Sequence, residues 1–128
     1  MQIYLASPMA QTAHLDSYSF SEDKLKRNLE VKNALERVGF QIYLPQQSKQ
    51  EGKLLLDEHL NIIKKCDCLV ILLSDTRGIY IEAGYAKALG KKVYAIKVAE
   101  TRKLSGWLEH FFDYVAEDVD SLVLFMKH

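Results

Sequence analysis

Two carboxylates, Asp75 and Glu82, stand where an apolar run gives way to a polar turn and then to a small-residue segment. Residues 69–90 read as a buried strand, a turn Ser74-Asp75-Thr76-Arg77-Gly78, and the first turns of a helix carrying Glu82-Ala83-Gly84-Tyr85-Ala86. In an open α/β sheet, ligands bind in the crevice at the carboxyl ends of the strands. Packing gives no reason to put a carboxylate there. A helix N-terminus favours the ionised form, and an ionised, positioned carboxylate is a nucleophile. The plainer readings are an ordinary first-turn Glu for Glu82 and a turn former or helix cap for Asp75.

The elements that must position these groups follow from periodicity. Residues 3–6 form a short apolar strand, and residues 7–21 are polar and irregular. Ser19 with Glu22 makes a possible capping box, with Ser21 as the other candidate cap. Leu25, Leu29, Val31, Ala34, Leu35 and Val38 then follow helical spacing up to Gly39, a natural stop. Residues 40–44 alternate as a second strand before Pro45, and 46–53 read as a loop. Residues 54–65 predict a helix with Leu56, Leu60 and Ile63 on one stripe. Residues 68–73 are continuously apolar, the mark of a central parallel strand covered on both faces. A helix over 81–89, a strand over 93–98, a short helix over 107–112, a short strand over 113–116 and a helix over 118–126 complete the chain. The alternation predicts one α/β domain over residues 1–128: a three-layer sandwich on a parallel sheet of four or five strands, order 2-1-3-4-5.

The 128 residues carry 17 Lys and Arg against 17 Asp and Glu, so no global basic field argues for nucleic acid. No apolar run has the length of a membrane span, and the start shows no basic n-region of a signal peptide. A cytoplasmic chain is expected, with neither nucleic acid nor membrane as partner. Cys66 and Cys68 are too close for an internal disulfide, and no His or Cys lies at ligand spacing from them. They read as buried thiols in a reducing compartment. No metal or cofactor is expected.

Two stretches resemble the nucleoside 2-deoxyribosyltransferase family. One is Ile3-Tyr4-Leu5-Ala6-Ser7-Pro8 followed by Gly39-Phe40-x-Ile42-Tyr43-Leu44-Pro45-Gln46. The other is Ile63-x-x-Cys66-Asp67 before the apolar strand, then Gly78-x-x-x-Glu82-x-Gly84-Tyr85-Ala86-x-Ala88-x-Gly90-Lys91-x-Val93. The likeness covers residues 3–98, and the Gly-x-x-x-Glu-x-Gly element is its most specific part. It implies a flavodoxin-like sheet and cleavage of an N-glycosidic bond. It also implies that Glu82 is the nucleophile, that Tyr4 hydrogen-bonds it, that Asp75 helps hold the sugar, and that Gln46 or Gln47 meets the base. Ser7, Arg77 and Gly78 join these as candidate substrate contacts, although an arginine in such a turn is more often a surface charge than a ligand.

One departure stands out. The family has an Asp eight residues before the Asp that opens the third strand; here that place holds His59, within Asp57-Glu58-His59. The implied role is proton exchange with the leaving base. A histidine, which titrates near neutrality, suits it; a shifted helix would give it to Asp57.

Breaking an N-glycosidic bond passes through an oxocarbenium-like state that a carboxylate can trap covalently. A base attacking the glycosyl-enzyme makes a transferase, and water makes a hydrolase. The expected function is therefore nucleoside deoxyribosyl transfer. The alternatives are a nucleoside 5′-monophosphate N-glycosidase and a non-catalytic nucleotide or nucleoside sensor. The partners expected are a nucleoside or nucleotide, a free nucleobase, and further copies of the chain, with Trp107, Phe111, Phe112 and Tyr114 as a candidate interface.

Overall fold

A computed structural model describes residues 1–9, 21–104 and 106–127. Its elements are β1 (Gln2–Ala6), α1 (Glu22–Glu36), β2 (Gln41–Tyr43), a 3₁₀ turn (Pro45–Gln47), α2 (Gly52–Lys65), β3 (Cys68–Leu73), α3 (Arg77–Ala88), β4 (Lys92–Lys97), α4 (Leu108–Phe111), β5 (Tyr114–Ala116) and α5 (Val119–Lys127). The five described strands form one sheet in the order β2-β1-β3-β4-β5, and every pairing is parallel. This is the flavodoxin-like order expected from the alternation of strand and helix.

Strand alternation divides the core in two. Tyr4, Ala6, Leu69, Ile71, Leu73, Val93 and Ala95 point to one face, where Ile63 of α2 and Ile79, Ala83 and Ala86 of α3 cover them. Ile3, Leu5, Val70, Leu72 and Ile96 point to the other, under Val31 and Leu35 of α1 and Leu122 of α5. All six residues of β3 are buried, because both of its faces are covered.

The helix ends follow local chemistry. The Ser21 side chain accepts from the Lys24 N–H and caps α1; Ser19 lies outside the described residues. After α1 the chain reverses at Gly39 with φ +100°, and after α3 at Gly90 with φ +78°, a region that favours glycine.

Three expectations need correction. The helix predicted over 81–89 begins four residues earlier, at Arg77, with Thr76 as its N-cap residue. The Asp-Thr-Arg-Gly composition reads as a turn, but the first helical turn has no intrahelical partners for its amides, so Gly78 there costs little. Glu82 is thus a second-turn residue, and the helix dipole, which fades within the first turn, is not what favours its charge. The stripe drawn through Leu56, Leu60 and Ile63 is rotated: Leu56 is exposed, and His59, Ile62 and Ile63 form the inward face of α2. The aromatic segment divides as well. Phe112 is core, and Tyr114 stacks on Phe125 with ring centroids 3.9 Å apart. Trp107, 73% exposed, is the one that faces solvent.

Cys66 ends α2 and Cys68 opens β3, and they fall in the two different halves of the core. Both are free thiols. Burial pushes the Cys68 thiol up to about 12 and raises Cys66 as well, so both stay protonated and unreactive. Among the described residues, no helix is long and apolar enough to cross a membrane.

Candidate active site

Glu82 lies on the inward stripe of α3, between Ile79, Ala83 and Ala86, which are all buried. The chain therefore spends a core-facing position on a carboxylate, which costs free energy unless the charge is hydrogen-bonded. Two donors meet it. The Tyr4 hydroxyl, from the centre of β1, donates to Glu82 Oε2. His59 Nδ1, from the inward face of α2, lies 3.2 Å from the same oxygen. The Glu82 and His59 side chains are 15% and 14% exposed. Burial, then the Glu82 charge, push the Tyr4 hydroxyl far above its ordinary range. Tyr4 therefore stays a neutral phenol and a donor at every working pH.

The rings hold one another. Tyr4 and Tyr43 are register partners on the parallel strands β1 and β2, and they stack at 5.3 Å. His59 meets both edge-on, 5.9 Å from Tyr4 and 6.2 Å from Tyr43. Sequence reasoning gave Tyr43 no role. Its signal was available in the matching alternation of the two strands, which puts Tyr4 and Tyr43 on one face. Burial, then the Glu58 charge, raise the Tyr43 hydroxyl to about 12. Glu58 also accepts from the Ser48 hydroxyl, which ties the loop after β2 to α2.

His59 sits against Glu82, with Nε2 buried and, among the described residues, without a hydrogen-bond partner. Asp57 lies off the inward face and pairs with Lys53 at 3.1 Å. Asp75 is set apart from the Tyr4–Glu82–His59 group in its contacts. Its Oδ1 lies 3.5 Å from Lys24 Nζ and 3.2 Å from the Ser74 hydroxyl. Partial burial opposes its charge, but Lys24, its own backbone N–H and Ser74 outweigh that and hold the carboxyl below its ordinary range. Ser74 also lies 2.9 Å from Glu100, which pairs with Arg27 at 2.7 Å.

The remaining candidates separate by use. Gln46 is committed to the fold: its Oε1 accepts from buried Asn28 at 2.9 Å, and its Nε2 donates to the Leu25 carbonyl at 3.0 Å. Gln47, on the same 3₁₀ turn, is exposed. Ser7 is buried, and its hydroxyl lies 3.3 Å from the Leu5 carbonyl. Arg77 and Gly78 occupy the exposed first turn of α3. Among the described residues, no group of three or more His, Cys, Asp or Glu could hold a metal ion.

The model of the nucleoside 2-deoxyribosyltransferase family matches residues 3–122. The chain belongs to that family. The match reaches well past residue 98, where the likeness in motifs ends. Solved structures of the same fold include the 2-deoxyribosyltransferase of the psychrotolerant bacterium Bacillus psychrosaccharolyticus, 21% identical over 95% of this chain and 90% of that one, with a TM-score of 0.76. The Clostridium botulinum CMP N-glycosidase is 16% identical over 99% and 98% of the two chains, with a TM-score of 0.69. A conserved protein of Enterococcus faecalis V583 is 20% identical over 98% and 96%, with a TM-score of 0.76. No curated protein matches the chain in sequence. As a member of this transferase family, the chain is an enzyme, and N-glycosidic bond transfer or cleavage is the chemistry that fits it.

Proposed function

We propose that the protein cleaves the N-glycosidic bond of a deoxynucleoside or nucleotide through a covalent intermediate on Glu82, and passes the sugar to an incoming base. The observation that carries this reading is the Glu82 carboxylate on a core-facing helix position, gripped at one oxygen by Tyr4 and His59. A structural carboxylate would be neutralised by a cation. This one meets donors that are not fixed cations, so its charge stays available for attack.

Asp75 is proposed to hold the sugar, and Gln47 rather than Gln46 to meet the base, since Gln46 has both ends of its amide engaged. Ser7, Arg77 and Gly78 sit beyond the strand ends of β1 and β3, where substrate would enter. Of His59 and Asp57, only His59 touches the Glu82 group. Association between copies is assigned to the face carrying the exposed Trp107, and the two unreactive thiols suit a cytoplasmic protein.

Incubation with a 2′-deoxynucleoside and a foreign free base tests the reading. A new nucleoside is the expected product. Free base alone identifies a hydrolase, and 5′-monophosphates in the same assay test the nucleotide N-glycosidase reading. Binding without turnover of any of these substrates would overturn the enzymatic proposal in favour of a sensor.

A further inference from the structure

Both protein donors converge on one oxygen of the nucleophile. Tyr4 Oη and His59 Nδ1 each reach Glu82 Oε2. A carboxylate only accepts, so for the 3.2 Å contact with Glu82 Oε2 to be attractive His59 carries hydrogen on Nδ1, in the neutral Nδ1–H tautomer or in the imidazolium. The ring cannot swing away at small cost. It packs edge-on against Tyr4 and Tyr43, and its side chain is 14% exposed. Nε2 is buried with no hydrogen-bond partner among the described residues. Among the described residues, the charged and titratable groups facing the imidazole are Glu82 from α3, Tyr4 from β1 and Tyr43 from β2, with Glu58 beside it on α2. Among the described residues, the imidazole nitrogen with a polar neighbour is Nδ1, and it is turned towards Glu82.

Resting on the Glu82 reading, we propose that His59 is a positioning residue acting on the nucleophile: it reserves Oε1 for attack and stabilises Glu82 as the leaving group when the glycosyl-enzyme breaks down. In the first step Oε1 bonds to C1′ while the C1′–N bond breaks; its electron pair leaves with the base, which takes a proton from water. Oε2 is then the carbonyl oxygen of the ester. In the second step water, or a base nitrogen, attacks C1′ and the C1′–Oε1 bond breaks. The pair returns to the carboxylate, and its charge reappears on Oε2 as well as Oε1. The attacking group sheds its proton to water, which restores the one given to the first base. Donors already aimed at Oε2 meet that returning charge without reorganising, as an oxyanion hole does.

This role predicts a different failure from that of a base-directed acid. His59→Ala should slow breakdown of the intermediate roughly 10²-fold, the effect of losing one such donor. Assayed with 2′-deoxyinosine, 2′-deoxyuridine and their 5′-monophosphates, the variant should release a burst of free base of one per site. A slow steady state should follow, with kcat and KM both lowered, and glycosyl-enzyme should be visible in the intact mass. His59→Asn, whose amide N–H lies near the place of Nδ1, should recover most of the rate. A variant that shows no burst, and whose loss grows as the base becomes a poorer leaving group, would overturn the proposal and leave the Glu82 reading standing. A wild type inactive on all four probes would bring down both. Long-range ¹H–¹⁵N spectra of the ligand-free protein supply an arm independent of turnover and of variant folding. Hydrogen on His59 Nδ1 is expected, and a bare Nδ1 would contradict the assignment.

Discussion

Two carboxylate groups lie on either side of the start of α3, and their surroundings differ in kind. Asp75 and its neighbour Glu100 are satisfied by cations, Lys24 at 3.5 Å and Arg27 at 2.7 Å, with Ser74 between them. Glu82 is satisfied by a phenol that cannot ionise and by an imidazole, inside a ring of aromatic packing. A fixed cation stabilises a carboxylate and spends its charge. A phenol and an imidazole on one oxygen orient the carboxylate and leave its other oxygen open. On the proposed function, the same functional group is an anchor in one region and a reagent in the other.

Replacing the reagent should have the largest effect. Glu82→Gln keeps the size and the acceptor but not the charge, so glycosyl transfer should fall by several orders of magnitude in steady-state assays, as loss of a nucleophile does elsewhere. The melting temperature should change little. Wild-type turnover by this variant would erase the distinction between the two regions. Tyr4→Phe removes one of the two donors on Oε2. Activity should drop about 10²-fold, against a loss of about 1 kcal/mol of stability in denaturant titration.

Asp75→Asn should cost about tenfold in kcat/KM, the worth of one hydrogen bond to the sugar. A loss as deep as that of Glu82→Gln would show that Asp75 is a reagent too. The smallest effect is on stability. Partial burial raises the Glu100 carboxyl, but hydrogen bonds from Arg27, its own backbone N–H and Ser74 outweigh that and leave it below its ordinary range. A depressed carboxyl contributes stability that is present above its unfolded value and lost as pH falls through the lower folded value. The difference between wild type and Arg27→Ala should therefore be at most about 1 kcal/mol near neutral pH. It should shrink below the ordinary carboxylate range, read by urea unfolding at a series of pH values. A difference that grew on acidification would reverse the sign and the assignment.

Much of the fold was legible because its signals are local. The unbroken apolar run of β3 announces a strand covered on both faces, and Gly39 and Gly90 mark reversals where only a positive φ serves. Glu82 was legible through its Gly-x-x-x-Glu-x-Gly setting. It also breaks the inward stripe Ile79, Ala83, Ala86, a signal that the late start assigned to α3 concealed. His59 was placed at the site but not in contact with Glu82. Leucines on both sides of α2 left its apolar stripe ambiguous, and exposed Leu54 and Leu56 drew the face away from His59, Ile62 and Ile63. The Tyr4–Glu82 bond joins residues 78 apart, and the stacking of Tyr4 on Tyr43 depends on strand register. Spacing along the chain carries neither; the first was implied by the family resemblance, and the second was signalled by the matching alternation of the two strands. Gln46 misled for a related reason: its type suits base recognition, but buried Asn28, from another element, had already claimed it.

The central claim is that the Glu82 carboxylate bonds covalently to the sugar. Its most direct test is to mix the wild-type protein with a 2′-deoxynucleoside in the absence of acceptor base, quench within the first turnover, and map the modified peptide by mass spectrometry. The account predicts a deoxyribosyl ester on Glu82 that vanishes when a foreign base is added before the quench. Turnover with no adduct, or an adduct on any other residue, would contradict it.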